Sequence, residues 1–210
     1  MPNTSLLDQL TALAREDSSD RRRDLLRALT DLYLSDSVDP DERAGMLYGE
    51  IVVKVADQVA IDARIELAQR LAPAEHAPHA AVYKLATDEI AVAREVLRQS
   101  SVLSDADLVA IAETHGDDHM MEIAARPELS ATVTDVLVDR GSSGVLHTVS
   151  RNSGARFSDF GFQTLATKAD GDEALQEILV GRRDMPEAAR SQLMTVMSDA
   201  LKVRLAEEGK

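Results

Sequence analysis

The chain contains no cysteine. Disulfides, thiolate metal sites and cysteine nucleophiles are therefore excluded. Tryptophan is also absent, and aromatic residues make up only 3 % of the chain. A core with few large rings must be built from Ala, Leu and Val, which suits helices in close contact better than sheets. Basic residues are scarce relative to acidic ones: 23 Lys and Arg stand against 37 Asp and Glu, a formal net charge of −14. Such a surface repels polyanions, so neither nucleic acid nor an anionic membrane is an expected partner. No run approaches the length of apolar sequence that crosses a bilayer. The stretch Met1–Leu13 lacks a basic region followed by a long apolar one, so no secretory leader is expected, and with the missing cysteine this points to a cytoplasmic protein. The phosphate loop Gly-x-x-x-x-Gly-Lys-Ser/Thr and the Gly-x-Ser-x-Gly nucleophile elbow are both missing. No catalytic residue and no cofactor are expected, and the chain reads as a non-enzyme.

What is present is helical periodicity. In residues 4–34, Leu6, Leu10, Leu13 and Ala14 follow helical spacing, as do Leu25, Leu26, Leu29 and Leu32 after a polar break. A turn over 35–40 ends that segment, with Pro40 set near the first turn of the next helix. A long helical segment is expected over about 41–72, with Met46, Val53, Ile61, Leu67 and Leu71 as its apolar positions.

From residue 73 the sequence repeats. Pro78, Ser104, Ser130, Ser158 and Pro186 each start a helix and are followed seven positions later by a large aliphatic: Leu85, Ile111, Leu137, Leu165 and Leu193. These aliphatics are spaced 26, 26, 28 and 28 apart. A second ladder, Leu97, Ile123 and Val149, runs twelve residues behind the first three, and Ile178 takes the next place one residue late. Two ladders per period mean two short helices per unit. Ser104, Ser130 and Ser158 can cap first-turn N–H groups, with Asp107 as a capping-box partner, and Gly116, Gly141 and Gly171 mark helix exits. Helices of this length are unstable alone, so each pair must bury its aliphatic stripe on the next. The expected fold is all-α: short HEAT-like helix-pair repeats stacked as a solenoid over 73–210, preceded by an N-terminal helical extension over 1–72 that caps the stack or forms a dimer interface.

Leu85-Ala86-Thr87-Asp88-Glu89-Ile90-Ala91-Val92-Ala93, Leu103-Ser104-Asp105-Ala106-Asp107-Leu108-Val109, Ile123-Ala124-Ala125-Arg126, Val136-Leu137-Val138-Asp139-Arg140-Gly141 and Asn152-Ser153-Gly154-Ala155 form an ordered set. Together they resemble an alphaproteobacterial family known only as a domain of unknown function, over roughly residues 60–195. The resemblance implies helical-repeat structure and a cytoplasmic setting, and it carries over no catalytic residue.

Few polar clusters stand out. His115-Gly116-Asp117-Asp118-His119 gathers two imidazoles and two carboxylates, the ligand types of a divalent metal site. Yet Gly116 breaks the helix and no further ligands declare themselves, so the ordinary reading is a turn with Asp117 or Asp118 capping the next helix and both histidines exposed. His76 and His79 sit in a Pro-broken loop. His147 lacks the neighbouring Lys and Gly of a phosphotransfer histidine. Arg98, Arg126, Arg151 and Arg182 recur near the ends of second helices and would line up as an anion-binding groove. Their ordinary role there is to bond the last carbonyls of a helix. Arg21, Arg22, Arg23 and Arg27 form another cluster. Phe157 reads as a hydrophobic staple before Ser158, Phe162 as core, and Phe160 as an exposed contact residue. The expected function is a protein-interaction or scaffolding module with an unidentified protein partner, in which Leu6, Leu10, Leu25, Leu29 and Leu32 offer a homodimer surface. The alternative is a ligand- or metal-binding regulator using the His115–His119 turn or the arginine groove.

Overall fold

The computed structural model describes residues 18–34 and 42–207. They form thirteen helices and no strand. The helices divide between two compact units, residues 1–107 and 108–210. The expectations for residues 4–17 and for the turn over 35–40, including Leu6, Leu10 and Pro40, lie outside the described residues. So does the side chain of Leu32.

In the first unit, α1 (Ser19–Tyr33), α2 (Glu42–Ala56), α3 (Ile61–Leu71), α4 (His79–Ala86) and α5 (Ile90–Gln99) follow one another. Much of the packing skips a neighbour, with α1 on α3, α3 on α5 and α2 on α4, and α5 also packs directly on α4. The expected single segment over 41–72 is two helices, broken by a turn at Asp57–Ala60. Of the apolar positions expected there, Met46 and Val53 are exposed, and Tyr48, Val52, Val55 and Ala56 fill the core. Tyr48 is fully buried, stacks on Tyr33 at 4.6 Å, and shares a 2.7 Å hydrogen bond with Thr30 Oγ1. Tyr33 in turn donates to the His76 carbonyl at 2.9 Å. The arginine cluster is tied locally: Arg27 grips Glu66, and Arg22 donates to the Gln58 carbonyl.

The second unit holds α7 (Asp117–Ala124), α8 (Ala131–Arg140), α9 (Ser143–Arg151), α10 (Asp159–Lys168), α11 (Glu173–Val180), α12 (Glu187–Val196) and α13 (Asp199–Glu207). The division from the first unit falls inside α6 (Asp105–Thr114). The same skipping order returns: α8 packs on α10 and α10 on α12, while α7 packs on α9 and α9 on α11. The first ladder is buried throughout, with Leu85, Ile111, Leu137, Leu165 and Leu193 at 2 % exposure or less. In the second ladder Leu97, Ile123 and Val149 are fully buried, but Ile178 is not; Leu179 takes its place. The α10–α11 turn in this last step holds Gly171 at φ +76°, a left-handed conformation that glycine adopts without strain.

The helix starts follow local hydrogen bonding. Ser104 and Asp107 form a reciprocal capping box, the Ser104 N–H donating to Asp107 Oδ2 at 2.8 Å and the Asp107 N–H to Ser104 Oγ at 3.3 Å. Ser130 and Ser158 accept from Val133 N and Gly161 N. Phe157 and Phe162 bracket the Ser158 cap with rings 5.1 Å apart, a hydrophobic staple. Gly116 sits at the N-cap of α7, and Asp117 and Asp118 occupy its first turn rather than capping it.

Candidate interaction site

α10 begins Asp159-Phe160-Gly161-Phe162. Its inward face takes Gly161, Phe162, Leu165 and Ala166. Phe160 falls on the opposite side and is 56 % exposed. It overlooks a depression of about 280 Å³ lined by Glu113, Asp135, Val136, Asp139 and Arg140. Asp135 accepts two contacts from the Ser158 hydroxyl, at 2.7 and 2.9 Å. Gly161 makes room for it, since a Cβ there would lie 2.7 Å from Asp135 Oδ1. The lone cation, Arg140, donates to the Glu113 carbonyl at 3.1 Å. The Asp139 backbone carbonyl accepts from Lys168 Nζ at 2.6 Å. The carboxylates of Glu113 and Asp139 make no ion pair among the described residues. Three carboxylates and one guanidinium around an exposed ring give a cleft that is acidic yet has an apolar anchor.

The other clusters are placed as follows. The His115 and His119 rings lie 4.6 Å apart. His115 Nδ1 is within reach of Thr114 Oγ1 at 3.0 Å, and Asp117 accepts from the Ser142 N–H at 3.3 Å. His119, expected exposed, is buried at 8 % exposure. Asp118 is exposed. Among the described residues no three His, Asp or Glu side chains converge so as to hold a metal ion.

The four arginines do not share one environment. Arg98 and Arg151 are exposed, and Arg126 is half-buried. The Arg182 side chain is only 9 % exposed and donates to the carbonyls of Ser150, Asn152 and Ala155 at 2.9–3.0 Å. Asp184 pairs with it, and its guanidinium lies 4.7 Å from the Phe157 ring centroid. Arg182 thus bonds terminal carbonyls, as cations near helix ends do, but those of the preceding repeat. Asn152 acts likewise one repeat earlier, its Nδ2 donating to the carbonyls of Ala124 and Arg126 at 3.0 and 2.7 Å.

Sequence reading missed a Ser143–His147–Asp172 group. His147 Nε2 lies 2.7 Å from Asp172 Oδ2, and Ser143 Oγ donates to the same oxygen at 2.8 Å. In a nucleophile relay the acid and the serine use opposite ring nitrogens. Here both meet Nε2, at 2.7 Å and 3.3 Å, so the ring has no free base facing the hydroxyl. Asp172 instead caps α11 through Leu175 N at 3.0 Å. Burial works against its charge, but the Leu175 N–H, Ser143 and His147 hold its carboxyl below the usual range. Its signal in the sequence was the N-cap position alone.

A family model described as an uncharacterised protein conserved in bacteria (DUF2336) matches residues 92–210. No curated protein and no solved structure matches the chain.

Proposed function

The chain belongs to the DUF2336 family of uncharacterised bacterial proteins, and from that premise we propose that it is a non-catalytic, HEAT-like interaction module of the cytoplasm. Its partner presents a basic segment with an apolar side chain to the Phe160 cleft. The observation that carries this reading is Phe160, a large ring left in water among Glu113, Asp135 and Asp139. Exposed aromatic anchors surrounded by complementary charge are the usual energetic centres of interfaces. A cation from the partner gains from both the carboxylates and the ring face.

The test is affinity capture from the native bacterial cytosol by the full chain, with Phe160→Ala and Asp139→Asn beside the parent. One protein recovered in stoichiometric yield by the parent, lost with Phe160→Ala and weakened by Asp139→Asn and by added salt, supports the reading. Equal recovery by all three chains, or no partner, overturns it.

Leu29 is fully buried and Leu25 half-buried inside the first unit, so these two leucines do not offer the homodimer surface expected of them. Met46 and Val53 are seven residues apart on one face of α2 and are exposed at 62 % and 38 %. We propose that this face joins two copies of the chain.

A further inference from the structure

In the second unit a depression of about 600 Å³ lies beside the ends of α9 and α11. Helix C-termini ordinarily repel anions, because the last carbonyls carry partial negative charge. At the end of α9 that charge is already answered. Arg182 takes the carbonyls of Ser150 and Asn152, and it also neutralises Asp184. Glu177, a second carboxylate in the wall, pairs with Arg204. What remains are two cations, Arg151 and Arg183. Both line the depression, both are exposed, and neither makes an ion pair among the described residues.

An independent observation comes from Ser150, which also lines the depression. It is 1 % exposed, and its hydroxyl has no hydrogen-bond partner among the described residues. A buried hydroxyl left unbonded is costly, and natural interiors seldom tolerate one without a ligand or water to answer it. Ser153 adds a second hydroxyl at the rim.

We propose that this depression binds the phosphate group of a small phosphate monoester. Arg151 and Arg183 supply charge-assisted, forked donors suited to phosphate oxygens, and the Ser150 hydroxyl donates a third hydrogen bond. The volume falls in the range of small-molecule sites, so the organic part of the ester has room as well. The site is separate from the Phe160 cleft, and its fate does not depend on the interaction reading.

The test is calorimetric titration of the full chain with inorganic phosphate and with glycerol 3-phosphate, at constant ionic strength set with sodium chloride. Saturable one-to-one binding with a Kd of about 1 mM or tighter is expected. The double variant Arg151→Ala/Arg183→Ala should bind about tenfold more weakly or worse. Because both side chains are exposed, its circular dichroism and melting should match the parent. Ser150→Ala should weaken binding while leaving the ligand-free melting temperature equal or higher, since it removes an unanswered hydroxyl. Tighter binding of glycerol 3-phosphate than of phosphate supports a site that also holds the organic part, and equal binding supports recognition through the phosphate alone. Absence of saturable binding by either probe, or undiminished affinity in the double variant, overturns the proposal.

Discussion

Asn152, Gly154 and Arg182 hold the second unit together by bonding across the repeat instead of along the chain. The segments around Leu129 and Ala155 meet in an isolated parallel bridge, with Leu129 N donating to the Gly154 carbonyl at 3.1 Å and Arg156 N to the Leu129 carbonyl at 3.0 Å. Gly154 permits this approach, because a Cβ there would lie 1.8 Å from the Pro127 oxygen. Gly154→Ala must displace backbone and should destabilise by about 1–3 kcal/mol or more, measured by urea denaturation. Arg182→Ala leaves three carbonyls and Asp184 without their donor, and should cost about 2–4 kcal/mol. Arg182→Lys should recover only part of that loss, since an ammonium cannot reproduce the planar fork. Asp172 gives a pH dependence whose sign is fixed. Its folded carboxyl titrates below the unfolded value near about 3.9. The folded state therefore binds fewer protons, and the stability is present above that value and lost as pH falls through the lower one. Asp107 and Asp184, also held low, act in the same direction. Melting temperature should fall on acidification below about pH 4, and Asp172→Asn should be less stable at neutral pH with a shallower acid decline. Reading His119 as exposed makes its loss harmless. The ring is buried and packed at a tilt against His115, so His119→Ala should instead cost about 1 kcal/mol.

Among the elements, the ladder sets where stability resides. Leu137 is fully buried in α8, the helix that α10 packs against. Leu137→Asp places a carboxylate in that contact and should destabilise by more than about 3 kcal/mol. A melting curve equal to the parent's would contradict the repeat assignment. The ladder was legible because a large aliphatic recurs at a near-constant interval, and the starts were legible because serine caps act within three residues of themselves. The break at Asp57–Ala60 was not. Val52, Val55, Ala56, Val59, Ala63 and Leu67 keep helical spacing straight through it, and neither Gly nor Pro marks the turn. Ile178 displaced Leu179 in the sequence reading because it lies one residue nearer the interval of the earlier units, and both residues are large aliphatics. The links made by Asn152, His147 and Arg182 join residues 25–32 apart and leave no local signature. Only the recurrence of a polar residue three places beyond Ile123, Val149 and Leu179 hinted at them. Phe160 was legible as exposed from helix phase, but the carboxylates around it come from α6 and α8, and no periodicity in α10 points to them.

For the whole molecule, a charge of −14 governs encounter more than folding. Attraction between the acidic surface and a basic partner should weaken as salt rises past the concentration where screening acts within about 8 Å. The proposed self-association through Met46 and Val53 would be apolar and should persist in the same salt. Light scattering of the full chain is expected to give twice the monomer mass, and Met46→Glu/Val53→Glu to return it to 22.8 kDa. Within each unit helices pack on their second neighbours, and this has a bearing on inheritance. A single inserted residue inside a helix rotates the rest of that helix by about 100° and strips its aliphatic stripe from the neighbours. Gain or loss of one complete pair leaves every remaining stripe facing a partner of the same kind. Length variation in such a lineage should therefore arrive in steps of one repeat, with smaller changes confined to turns like the one that holds Gly171.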